Sequence, residues 1–120
     1  MAGVKRVLIV EDERPLSHAL ELKLQHEGFE TFVANNGEEC LKAIDEQVFD
    51  IILLDLVMPI FDGFQVLEQL QNKPNKPAVI VLSNLSQAED EDRVLKLGAK
   101  KYFIKSDTSL EVIVNEVKQV

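Results

Sequence analysis

The sequence predicts an α/β fold: an open, doubly wound sheet of five parallel strands in the order 2-1-3-4-5, with helices on both faces. Three observations carry this. Apolar runs alternate with helical patterns from one end of the chain to the other, with turn residues at each join, giving five β/α units without a repeat, low-complexity tract or linker. Right-handed crossovers that cover both faces make a doubly wound sheet the natural arrangement of such units. The first, third and fourth strands are the most apolar and belong at the centre. The more polar second and fifth then lie at the edges, which favours 2-1-3-4-5 over the 3-2-1 order of dinucleotide-binding sheets.

The first strand is Val4 to Val10. Pro15 to about Glu27 is a helix with Leu16, Ala19, Leu20 and Leu24 on one side, ended by Gly28. Phe29 to Ala34 is the second strand, and Asn36 with Glu39 forms a capping-box pattern. Cys40, Leu41, Ile44 and Val48 then share a helical face, so Cys40 is assigned to packing. The third strand is Asp50 to Leu54 or Asp55. Asp62 caps a helix carrying Val66, Leu67 and Leu70, which stops before Asn72-Lys73-Pro74. Pro77 to Ser83 is the fourth strand. Ser86 and Glu89 form another capping pattern, and Glu89-Asp90-Glu91-Asp92 crowd a helix start where the dipole favours negative charge. That helix closes at Gly98; the fifth strand spans Lys100 to Ile104, and a last helix turns Leu110, Ile113, Val114 and Val117 inward.

A chain of 120 residues with 46% hydrophobic content suits one domain, residues 1–120, with one core. A single cysteine excludes an internal disulfide, and no signal-like stretch opens the chain, so a reducing, cytoplasmic setting is expected. No apolar run approaches the roughly 20 residues that span a bilayer. Thirteen basic against 21 acidic residues give a net charge of −8. Such a charge disfavours direct nucleic-acid binding and anionic lipid surfaces.

Asp55 follows four aliphatic residues, Ile51-Ile52-Leu53-Leu54, that read as a strand covered on both faces. Charged residues are rarely buried without a partner, so Asp55 is expected where the strand ends, at a rim open to solvent, the side on which ligands bind in open α/β sheets. Under the proposed order, Glu11 and Asp12 at the end of the first strand lie beside it. Three converging carboxylates raise one another's pKa values unless a cation compensates. Oxygen ligands without histidine or thiolate select a hard cation, foremost Mg²⁺. Ser83 and Lys105 close the fourth and fifth strands and add a hydroxyl and an ammonium. Taken singly, each has a plain reading: a helix-start acid, a turn hydroxyl, a solvated lysine. Together they form the set that phosphoryl transfer to a carboxylate requires, because the transition state spreads negative charge over three equatorial oxygens.

Val7-Leu8-Ile9-Val10-Glu11-Asp12, Ile52-Leu53-Leu54-Asp55-Leu56-Val57-Met58-Pro59 with Asp62-Gly63, the Ser83 strand end, Gly98-Ala99 and Tyr102-Phe103-Ile104-Lys105 resemble the receiver domain of two-component response regulators, over essentially the whole chain. The resemblance implies a flavodoxin-like (βα)5 fold. It also implies a phosphoryl group accepted by Asp55 from a histidine kinase's phosphohistidine or a phosphotransfer protein. Asp12, Asp55 and the backbone carbonyl of Val57 would hold Mg²⁺, with Glu11 acting through a metal-bound water. Lys105 would pair with the phosphoryl oxygens, Ser83 would bond the phosphoryl group, and Tyr102 would turn inward as Ser83 moves. The surface that changes would be the fourth helix, fifth strand and fifth helix, where an output domain or a second copy would dock.

Ser106 departs from the pattern, since receivers usually carry proline, with a cis bond, after the lysine. A cis bond before a non-proline costs about 2.5 to 4 kcal/mol, so a trans Lys105-Ser106 bond is expected. Asn84 is larger than the usual neighbour of the switch hydroxyl, unless it caps a loop. Val57 and Leu85 form an apolar pair where receivers tune phosphoryl lifetime, which points to slow self-dephosphorylation. Val112 and Val120 are apolar where solvent is expected, and Val112 is a candidate contact; His18 and His26 are assigned to the surface. Competing readings are a flavin binder, disfavoured by the anionic rim and the lack of a phosphate loop after the first strand, and an aspartyl-phosphate phosphohydrolase, disfavoured by Val57 where those enzymes place a second aspartate. The remaining alternative is a degenerate receiver acting as a phosphorylation-independent interaction module.

Overall fold

The computed structural model describes residues 4–58, 61–73, 76–84 and 88–120. Its elements run β1 (Arg6–Val10), α1 (Arg14–His26), β2 (Glu30–Ala34), α2 (Gly37–Glu46), β3 (Ile51–Leu54), α3 (Gly63–Leu70), β4 (Ala78–Ser83), α4 (Ala88–Lys96), β5 (Lys101–Ile104), a 3₁₀ turn (Lys105–Asp107) and α5 (Leu110–Gln119). All four strand pairings are parallel, and the order is β2-β1-β3-β4-β5.

The sheet is buried on both faces because its central strands are aliphatic at every position, and the period-2 alternation of a strand divides them between two cores. Leu8, Val10, Ile52, Leu54, Val79 and Val81 face Cys40 of α2, Val66, Leu67 and Leu70 of α3, and Val94 of α4. Val7, Ile9, Ile51, Leu53, Ile80 and Leu82 face Leu20 and Leu24 of α1 and Ile113, Val114 and Val117 of α5. Each fully buried leucine or isoleucine contributes roughly 1.5–3 kcal/mol of transfer free energy, so the two cores hold the five-stranded register that brings the strand ends level. Arg93 of α4 lies 4.1 Å over the Phe64 ring of α3 and ties those two helices together.

The helix ends follow their local chemistry. Asp62 and Gln65 form a reciprocal capping box, and Ser109 accepts from the Val112 N–H. Asn36 accepts from the Glu39 N–H, but the Glu39 carboxylate reaches back to the Asn35 N–H, one residue beyond the cap N–H that a reciprocal box would use. Gly28 and Gly98 close α1 and α4 in the left-handed region, at φ 95° and 106°.

Two expectations are corrected. The first strand begins at Arg6, leaving Val4 exposed. Val48 is 67% exposed and does not share the buried face of α2. That helix stops at Glu46, and Gln47 turns extended (φ −141°, ψ 158°), which breaks the helical period before Val48 is reached. Pro59, Pro74, Leu85 and the Ser86 cap lie outside the described residues.

Candidate functional site

The carboxyl ends of the strands bring the acids together through the register. Val10 and Leu54 are rung partners, and the Asp55 N–H donates to the Val10 carbonyl at 3.1 Å, so Asp55 is fixed one residue from Glu11 across the sheet. Glu11, Asp12 and Asp55 each offer a carboxylate oxygen within 4.8 Å of the other two. The chain after Asp55 folds tightly back. The Gly63 N–H donates to the Leu56 carbonyl at 3.0 Å, and a Cβ on Gly63 would lie 2.5 Å from the Asp55 carbonyl oxygen and 2.7 Å from the Leu56 Cα. A glycine at 63 is therefore a steric requirement of the chain's close approach to Asp55 and Leu56.

Lys105 enters from the end of β5, two strands away. Its Nζ lies 2.7 Å from Glu11 Oε1, 3.1 Å from Asp55 Oδ2 and 3.6 Å from Glu13 Oε2. The remaining oxygens of the two buried acids are also occupied: Glu11 Oε2 accepts from the Glu13 N–H at 3.0 Å, and Asp55 Oδ1 from the Val57 N–H at 3.2 Å. Among the described residues, no buried side-chain nitrogen or oxygen lacks a hydrogen-bond partner.

Electrostatics follow from this burial. Desolvation pushes the Glu11 carboxyl up to about 7, with the Lys105 bond working against it. Desolvation also raises Asp55, again opposed by Lys105. Burial disfavours the charge on Lys105, but Glu11 and Asp55 outweigh it and hold the ammonium above its ordinary range. One ammonium against Glu11, Asp12 and Asp55 leaves the pocket net negative when all are ionised. Oxygen ligands without histidine or cysteine, at this spacing, fit a hard divalent cation.

The sequence profile of the response regulator receiver domain matches residues 7–118, nearly the full length. The chain belongs to the response regulator receiver domain family. It is 33% identical over 110 residues to the transcriptional regulatory protein PcoR of Escherichia coli, covering 92% of this chain and 49% of PcoR. The chain thus spans about half the length of that relative. The receiver domain of a Francisella response regulator superposes with a TM-score of 0.89 at 30% identity, covering 96% of this chain and 94% of that one. The Thermotoga maritima response regulator TrrA in complex with Mg²⁺-BeF superposes at 0.84 with 31% identity, covering 97% and 98%. Phosphorylation on aspartate and Mg²⁺ binding at an acidic pocket are general to receivers, and the acidic cluster here fits that pattern.

Within this receiver the structure joins Glu11, Asp12, Asp55 and Lys105 directly. Asp55 is 4% exposed, which corrects the expected solvent-open rim: Gly63 packs against its carbonyl, and Lys105 supplies the cation that permits burial of its carboxylate. Ser83 is fully buried at the last rung of β4, opposite Ile104. Tyr102, the rung partner of Val81, is half-buried against the core shared with α4, and burial followed by the charges of Asp90 and Glu91 raises its phenol. Val57 is exposed at 58%, beside Asp55 in sequence. The Lys105-Ser106 bond is trans, as expected. Cys40 is buried, its thiol pushed up to about 12, which suits packing. His18 and His26 are exposed, as are Val112 and Val120.

Sequence reasoning missed one participant, Glu13, and the partner of Asn84. Glu13 supplies a third carboxylate to Lys105 and an N–H to Glu11; the available signal was its place as the third consecutive acid at the end of β1. Asn84 accepts from the Ser106 N–H at 3.1 Å, so the loop-capping alternative for Asn84 describes its bond, made to a residue 22 positions away.

Proposed function

We propose that residues 1–120 form one receiver that accepts a phosphoryl group on Asp55 from the phosphohistidine of a sensor histidine kinase or phosphotransfer protein. The observation that carries the reading is the buried Asp55 carboxylate held between Lys105 and a cluster of two further acids. In the reaction, one carboxylate oxygen of Asp55 forms the bond to phosphorus as the bond to the donor's imidazole nitrogen breaks. The imidazole leaves with that electron pair. Lys105 shifts from carboxylate to phosphoryl oxygens, and the Ser83 hydroxyl donates to the group once it is present.

Asp12, Asp55 and the Val57 carbonyl would hold Mg²⁺, with Glu11 bonded to it through water. When bound, the ion supplies neutralisation of the charge on the transferred oxygens. The likeness to TrrA, whose structure is a complex with Mg²⁺-BeF, supports Mg²⁺ as the ion for this acidic pocket. Phosphorylation adds roughly 1.5 to 2 negative charges, which draw Ser83 and Lys105 inward and let Tyr102 fill the vacated space. The responding surface is α4, β5 and α5, which docks an output domain or a second copy. Among the described residues no helix is long and apolar enough to cross a membrane, and a cytoplasmic location fits a histidine-kinase donor.

The test is intact mass after incubation with Mg²⁺ and a small acyl phosphate. The wild type gains one phosphoryl mass, while Asp55→Asn and a chelator-treated sample gain none. No gain on the wild type, or equal labelling of the variant, overturns the reading and leaves the phosphorylation-independent interaction module.

A further inference from the structure

Lys105 carries its ammonium on a flexible four-carbon stem, so its reach to Glu11 and Asp55 depends on how firmly its backbone is held. Before Lys105, Ile104 is held in the sheet by its rung partner Ser83. After it, the chain turns through the 3₁₀ segment, where the backbone ladder between β4 and β5 has ended. The residue that continues the connection is Asn84. It directly follows Ser83, and its Oδ1 accepts from the Ser106 N–H at 3.1 Å. The Thr108 hydroxyl closes the turn by donating to the Ile104 carbonyl at 2.8 Å. Lys105 is therefore flanked by Ile104 and Ser106, and each is tied to the same two-residue segment, Ser83-Asn84.

We propose that Asn84 is a positioning residue for Lys105: through the Ser106 N–H it makes the switch-hydroxyl loop and the lysine turn one hydrogen-bonded unit, so that Ser83 and Lys105 approach the phosphoryl group together. This rests on Asp55 as phosphoacceptor. The device depends on the residue after the lysine having an N–H. A proline at 106 could not donate, and it would also disfavour helical backbone at Lys105. Asn84 and Ser106 thus form a matched pair, in which the amide acceptor is useful only because the next residue donates.

Three readouts test it. Asn84→Ala removes the acceptor, and the Ser106 amide then exchanges with solvent roughly three- to tenfold faster in the unphosphorylated protein, the scale of one neutral hydrogen bond. The nitrogen resonance of the Lys105 ammonium shifts or broadens in the same variant, which reports its placement between Glu11 and Asp55 without any phosphoryl donor. Phosphorylation by a small acyl phosphate at saturating Mg²⁺ slows by a similar roughly three- to tenfold factor. Ser106→Ala keeps the N–H and tracks the wild type in all three. In a Ser106→Pro background, Asn84→Ala costs little further, because the bond is already gone.

An unchanged Lys105 resonance in Asn84→Ala, equal slowing by Ser106→Ala, or additive effects of Asn84→Ala and Ser106→Pro overturns the proposal. A wild type that takes no phosphoryl group refutes the phosphoacceptor reading instead, and with it any role of Asn84 in transfer; the amide and ammonium signals then report the bond alone.

Discussion

Replacing Lys105 by methionine isolates the electrostatic heart of the site. The lysine side chain is 9% exposed and meets Glu11 at 2.7 Å and Asp55 at 3.1 Å, so its loss leaves two buried carboxylates facing each other without a cation. Breaking a buried pair from one side typically costs about 3–5 kcal/mol. The lower end applies here, because Glu11 is already pushed up to about 7 and can escape by taking a proton. With the ammonium gone, both carboxyls rise further above their unfolded values. A carboxyl raised in this way contributes stability below its unfolded pKa and loses it as pH rises through the folded pKa. The deficit of Lys105→Met therefore grows with pH, at up to about 1.4 kcal/mol per pH unit for each group titrating alone. Urea denaturation of metal-free protein is expected to show a loss of about 3 kcal/mol at pH 8. At pH 5.5, below the Glu11 value of about 7, that carboxyl is largely protonated and the loss falls to about 1 kcal/mol. Added Mg²⁺ recovers part of the difference at pH 8, by binding the folded state in place of the ammonium. A deficit that does not change with pH, or none at pH 8, refutes the account of the pocket.

Gly63→Ala places a methyl against the Asp55 carbonyl and the Leu56 Cα, backbone atoms that cannot move aside alone. Overpacking of this kind costs about 1–3 kcal/mol, so the urea midpoint drops; an unchanged midpoint would show that the loop is freer than its contacts indicate. Because the Glu11 carboxyl sits at about 7, protons and Mg²⁺ compete for the pocket, and calorimetry is expected to show apparent Mg²⁺ affinity falling as pH is lowered from 8 to 6. A flat profile contradicts that shift. The exposed, apolar Val57 cannot orient an attacking water, so phosphate is lost from the phosphorylated protein slowly in Mg²⁺ buffer; a half-life of seconds would count against this.

The sheet was legible because the aliphatic runs of β1, β3 and β4 leave no other way to bury both faces, and the observed order follows from which strands are apolar. Element ends were less legible. Val48 kept the period of α2 on paper, but a backbone turn at Gln47, which hydropathy does not encode, removed it from the core. Of the candidate site, Glu11, Asp12, Asp55 and Lys105 could be read from strand-end position and resemblance, because parallel strands bring their carboxyl ends level. The burial of Asp55 could not be read, since it depends on an ammonium 50 residues away and on the close approach of Gly63 to its carbonyl. The bond from Ser106 to Asn84 was hidden for the same reason: each residue has many uses in a loop, and only the fold places them 3.1 Å apart.

The most direct measurement of the central claim is chemical trapping of the acceptor. Borohydride reduces an aspartyl phosphate to the alcohol, releasing phosphate and converting the aspartate to homoserine. After treatment of the wild type with Mg²⁺, a small acyl phosphate and borohydride, peptide sequencing by mass spectrometry is expected to find homoserine at position 55 and unmodified aspartate at position 12. Homoserine at position 12, or at neither position in protein that has gained phosphoryl mass, would contradict Asp55 as the acceptor.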